Sequence, residues 1–217
     1  MSIPTSRVAL HRLPSSGAAS SWALRVLCGV ALSMAVAGAE AQTVRLRGTL
    51  QAVATSTLTL KERSGEVIEL RLTEKTVLSE VYPITLSEIQ PGSFIGTAAM
   101  PQPDGTQRAI AITVFPESAR GTGEGHRAFD LQPQSTMTNA TVAEVAATPA
   151  GRRMQLKYKD GEKTLLVPEG APVVTFRPGD RTLLVPGASV SISAQQIDGV
   201  PTALRINAGR NGFQLPY

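Results

Sequence analysis

From Val44 onward the sequence repeats itself at long range, and that repeat narrows the folds open to it. Ser64-Gly65 matches Asp160-Gly161, Pro91-Gly92 matches Pro186-Gly187, and Asp104-Gly105 matches Asp198-Gly199. Ala109-x-x-Ile112 likewise matches Ala203-x-x-Ile206. The offsets are 161 − 65 = 96, 187 − 92 = 95, 199 − 105 = 94 and 206 − 112 = 94. A period of this size is far longer than a solenoid repeat, so each copy reads as a small domain rather than one turn of an array.

The pattern inside each copy is that of short strands. Val44 to Leu50 alternates apolar and polar residues, as a half-buried strand does, and Val67 to Leu72 alternates again after the Arg63-Ser64-Gly65-Glu66 turn. Thr85 to Gly92 reads as one helical turn closed by Pro-Gly. Ser93 to Met100 and Arg108 to Phe115 flank the Asp104-Gly105 turn. The second copy follows the same order: Ala140 to Val145, Met154 to Tyr158, Lys163 to Val167, a polar bridge from Phe176 to Thr182, Val190 to Ala194 and Thr202 to Ile206. These signals predict an all-β chain of two tandem small five-stranded OB-like barrels. The expected boundaries are 43–116 for the first barrel, 117–138 for a Gly-rich linker, 139–208 for the second barrel and 209–217 for a tail.

Ahead of the repeats, residues 1–41 read as a signal peptide. Arg7, Arg12 and Arg25 precede an apolar stretch from Val26 to Ala37, and cleavage is expected after Ala39 or Ala41. That stretch is shorter than the roughly 20 residues a membrane-spanning helix needs. The expected location is therefore periplasmic or secreted, with no transmembrane span in the mature chain. Cys28, the sole cysteine, falls in this segment, which leaves the rest with no disulfide and no thiolate chemistry. Without Arg7, Arg12, Arg25 and Glu40, 18 basic and 16 acidic side chains remain. So small and dispersed an excess gives little drive toward nucleic acid, which is not an expected partner.

The run Gly-x-Leu, Leu-Thr-Leu, Ser-Gly, Leu-Ser-Glu-Ile-Gln-Pro-Gly-Ser, Asp-Gly and Ala-x-x-Ile resembles a bacterial family of exported small β-barrel domains of unknown function. The resemblance covers Val44 to Phe115 and, more loosely, Asn139 to Ile206. It implies fold and export. Its motifs are turn chemistry, and no catalytic residues come with it.

The linker concentrates the residues that neither repeat explains. Gly121, Gly123 and Gly125 alternate, and His126 is the one histidine after residue 41. Arg120, His126, Arg127 and Phe129 are candidate ligand-binding residues for an anionic or sugar ligand on a displayed loop. Glu124, His126 and Asp130 are the alternative, a metal site of one imidazole and two carboxylates. Arg45, Arg47 and Arg71, and Lys157, Lys159 and Lys163, are read as solvated strand faces, with two small basic binding faces as the alternative. No Gly-x-Ser-x-Gly elbow occurs, and the acids sit singly on turns. The expectation is a non-enzymatic periplasmic binding protein for an envelope protein or small ligand, with no cofactor. A metal-handling accessory built on the linker is the alternative.

Overall fold

A computed structural model describes residues 42–217; the expected signal segment, its cleavage site and Cys28 lie outside them. The strands are β1 (Val44–Val53), β2 (Thr57–Glu62), β3 (Val67–Arg71), β4 (Val77–Pro83), β5 (Phe94–Pro101), β6 (Gln107–Val114) and β7 (Gly125–Ala128). They continue with β8 (Thr136–Thr148), β9 (Gly151–Tyr158), β10 (Gly161–Pro168), β11 (Val173–Pro178), β12 (Ser189–Ile197) and β13 (Val200–Gly209). Three 3-10 turns, Leu86–Glu88, Glu117–Ala119 and Arg181–Leu183, complete the regular structure. The all-β expectation holds for the described residues. No helix among them is long and apolar enough to cross a membrane.

Turn chemistry sets the punctuation. Gly92 and Gly187 both take positive φ, at 90° and 88°, after their prolines, and Gly105 and Gly199 do the same at 82° and 73°. Left-handed backbone is open to glycine at no steric cost, which is why these positions survive as repeat markers. In the first copy's 3-10 turn the Glu88 carboxylate also accepts the Thr85 amide at 2.8 Å, as a capping residue does.

The pairing departs from the expected tandem arrangement. One continuous sheet runs β10-β9-β8-β5-β6-β11-β4-β13-β12-β1-β2-β3. β10 returns to pair with β6 in parallel, Leu165 opposite Gln107 and Leu166 opposite Arg108. This closes a five-stranded barrel of β6, β5, β8, β9 and β10. Its strands therefore come from both sequence copies. At the other end, β13, β12, β1, β2 and β3 curl the same way, joined by the single pair Thr202 and Arg71. There the Arg71 guanidinium donates to Thr202 Oγ1 and to the Ile197 carbonyl, both at 3.1 Å, so Arg71 serves a seam rather than a basic face. Each copy contributes its opening hairpin to one ring and its closing hairpin to the other, an exchange within one chain that parallels domain swapping between chains.

The cores show the same exchange. Leu50, Leu58, Leu60 and Leu70 pack with Leu183, Val190, Ile192 and Ile206. Ile89, Ile95 and Ile112 pack with Val142, Met154, Leu156 and Leu165. The two copies meet where β4 and β11 pair, strands beyond the five expected per copy. Val81 lies opposite Phe176, Ser79 opposite Pro178 and Pro83 opposite Val174. Repeat equivalents here are 95 apart (176 − 81, 178 − 83, 174 − 79), so this ladder sits on a local two-fold. Val81 and Val174 form a third cluster with Leu215, joined by Phe176, Phe213 and Tyr217. The 209–217 tail is thereby packed onto the junction.

Candidate functional site

The linker is a built element. Pro116 leads into the 3-10 turn Glu117–Ala119. Arg120 then folds back on Glu117, with its Nε 2.6 Å from Oε1 and one terminal nitrogen 2.8 Å from Oε2. The same guanidinium donates to the Gly92 carbonyl at 2.9 Å and lies over the Phe94 ring. The glycine series that follows turns the chain back: Gly121, Gly123 and Gly125 have φ of 81°, 56° and 127°. Any other residue would be strained at these angles. A Cβ at Gly123 would also stand 3.2 Å from the Asn139 amide nitrogen.

β7 then pairs with β8, His126 opposite Thr138 and Arg127 opposite Met137. His126 Nδ1 is 2.8 Å from Thr138 Oγ1. Burial, then Lys163 and Arg127, hold the imidazole below its ordinary pKa. Arg127 donates to the Gly123 carbonyl at 2.8 Å, and Glu124 accepts the Lys159 amide at 3.0 Å. Beyond β7, buried Ser135 closes the loop: its hydroxyl accepts the Gln132 amide at 3.2 Å and donates toward the Phe129 and Gln132 carbonyls.

That loop reaches β1, and here the site assembles. Arg45 and Arg47 are two apart on one strand, so their side chains share a face. Both guanidiniums lie 5.3 Å from the centre of the Phe129 ring, a cation–π geometry. Asp130 accepts two bonds from Arg47, at 2.7 and 3.1 Å, and lies 3.7 Å from Arg45. Bonding to Arg47 first, and its charge after, holds the Asp130 carboxyl below the usual carboxylate range. The Arg45 pKa is lowered too, which here disfavours the charged form: burial comes first, then Arg47, with Arg127 adding to it and Asp130 partly offsetting it. Arg47 is 7% exposed, and its Nε has no hydrogen-bond partner. Two guanidiniums thus meet one carboxylate, with the charge of Arg127 acting on Arg45 as well, which leaves an excess of positive charge beside an aromatic ring.

The candidates from sequence divide accordingly. Phe129 belongs to this site, Asp130 belongs to it as an arginine partner, and Arg127, bonded to Gly123, reaches it only as a charge acting on Arg45. Arg120 is held at Gly92 and Phe94. Glu124, His126 and Asp130 each bond elsewhere, to Lys159, Thr138 and Arg47, and no group of three or more His, Cys, Asp or Glu among the described residues is placed to hold a metal ion. Arg45 and Arg47 were visible as a basic strand face. Their convergence on Phe129 and Asp130, more than 80 residues away in sequence, was not. Two surface clefts, of about 290 and 260 Å³, open elsewhere, between 182–188 and 209–212 and between 72–78 and 180–184. No protein-family model, no curated protein and no solved structure matches this chain.

Proposed function

We propose that this is a non-enzymatic binding protein of the cell envelope that takes an anionic group of a partner protein or small ligand on the Arg45–Arg47–Phe129 face. The excess of guanidinium over carboxylate at that face carries the reading. Arginine forks suit carboxylate and phosphate geometry, and Asp130 already demonstrates the bidentate mode on Arg47. Phe129 supplies a flat apolar floor against which an anion's carbon skeleton can lie. Asp130 is then a tethered occupant that an external anion displaces. We further infer that the two rings are OB-like barrels sharing strands between repeats, and that export delivers them to the periplasm.

Titration with inorganic phosphate and with tricarballylate, read from the guanidinium nitrogen resonances of Arg45, Arg47 and Arg127, tests this. Asp130→Ala should tighten binding about tenfold, which corresponds to about 1.4 kcal/mol, and Arg47→Ala should abolish it. Resonances that ignore both anions in Asp130→Ala would refute the reading, because the competing carboxylate is then gone.

A further inference from the structure

The first residues of strand β1, Val44 to Leu46, are paired on one side only among the described residues. Val44 to Thr49 pair with β12, whereas β2 begins its pairing at Gly48. Beside Val44, Arg45 and Leu46 no strand among the described residues lies on the β2 side. The backbone bond at the margin is Arg63 N–H to the Arg47 carbonyl, 2.9 Å. In an antiparallel ladder both backbone groups of a residue point the same way and alternate residues share a side. The N–H and C=O of Arg45 therefore point out along the same edge as the Arg47 carbonyl.

The other repeat shows what this edge accepts. β8 pairs with β5 as β1 pairs with β12: Thr138 is opposite Thr97, and Leu46 is opposite Ile192. Thr97 and Ile192 are repeat equivalents (192 − 97 = 95), so Leu46 corresponds to Thr138, Arg45 to Met137 and Arg47 to Asn139 (an offset of 92, as in 138 − 46). On β8 that edge is filled by β7, with Gly125 opposite Asn139, His126 opposite Thr138 and Arg127 opposite Met137. One repeat has its edge covered by a four-residue strand, and the equivalent edge of the other stands open among the described residues.

We propose that Val44–Arg47 is a strand-addition site for an extended acidic segment of a partner protein, docked antiparallel in the register β7 uses on β8. Main-chain bonds to Arg45 would supply the pairing, and side chains the selectivity. The residue opposite Arg45 lies on the face shared by Arg45 and Arg47, so an acidic side chain is favoured there and a basic one disfavoured. The residue opposite Leu46 lies on the core side, where Leu46 packs against the buried cluster, so it should be apolar. The residue beside Arg47 takes the place Gly125 has on β8 but must also pass Arg63, whose N–H holds the Arg47 carbonyl, so it should be small. The segment thus reads small–apolar–acidic. Val44, 47% exposed, extends the apolar side past its end. The site goes beyond the anion reading and stands or falls separately from it.

The test uses the full chain, labelled with nitrogen-15, and the peptide acetyl-Thr-Gly-Val-Glu-Val-Ser-amide at millimolar concentration. Amide hydrogen exchange at Arg45 should be fast without peptide and slow about tenfold or more at saturation, while Met137 is protected throughout. A peptide with lysine for glutamate should bind more weakly, and one N-methylated at the glutamate should not bind. Arg45→Ala keeps the amide and should retain weakened binding; Arg45→Pro removes the edge donor as well as the guanidinium and should lose it. Phosphate titration of the same samples reads the anion site independently. An Arg45 amide already protected without peptide would overturn the proposal, since the edge is then filled within the chain. Equal binding of the N-methylated peptide would overturn it too, leaving the arginines as charges that merely keep an edge from pairing.

Discussion

Glu80 breaks the local two-fold with a charge, since its equivalent across the β4–β11 ladder is Thr175 (175 − 80 = 95). Its carboxylate is 5% exposed and accepts from Arg177 at 2.9 and 3.3 Å, with Arg210 at 3.1 Å. Those bonds hold its pKa below the usual carboxylate range. A depressed carboxylate pKa means stability that is full above the unfolded-state value and is lost as pH falls through the folded-state value. Both arginines are more than a third exposed, which discounts the pair toward the lower end. Glu80→Gln should therefore lower stability by about 1 kcal/mol at pH 7 in urea unfolding, and the difference from wild type should shrink on acidification. His126 runs with the same sign by another route. Its folded-state pKa is lowered, so it binds fewer protons folded than unfolded, and stability falls as pH drops below about 6.5. Exchange protection factors in β7 should be lower at pH 5 than at pH 7, and a pH-independent β7 would contradict that assignment.

Among the elements, the strands that alternate cleanly were legible in the sequence, and those that serve the exchange were not. Val44–Leu50, Val67–Leu72 and Val190–Ala194 follow the period of two because each turns its apolar side chains to one core cluster, although Arg47 and Ser191 are also buried on the opposite face. β4 hides Ser79, Glu80 and Val81 together, so its pattern carries no alternation. β11 looked like a polar bridge because it runs into Arg177-Pro178. β7 reads in the sequence as part of a linker because glycines announce turns and say nothing of the partner strand. Of the candidate site, Phe129, Arg127 and Asp130 were visible as odd residues, whereas their partners Arg45 and Arg47 come from across the sheet. One glycine inside a strand tests this packing. A Cβ on Gly48 would run into the Lys61 carbonyl, a backbone atom that cannot swing aside. Gly48→Ala should cost about 1–3 kcal/mol in chemical denaturation. A neutral effect would mean that β1 and β2 are not in the register described.

For the whole molecule, the sequence repeat runs along the chain while the pairing runs across it. Turn residues reveal that a hairpin exists; they do not say which copy it joins, because equivalent hairpins carry equivalent apolar faces. The exchange follows from β4 and β11: by pairing at the two-fold, they send each closing hairpin to the far ring. That crossing brings the two ends of the story together, since β1 of the first copy lies under the loop that leads into β8 of the second. Interstrand Hα–Hα nuclear Overhauser contacts report this pairing without any mutation, being strong between residues of non-hydrogen-bonded antiparallel pairs, where the chains approach most closely. The account predicts such contacts between Arg45 and Ser193 and between Arg47 and Ser191, across copies. Contacts from Arg45 and Arg47 to β5 instead would show two self-contained tandem barrels and contradict it.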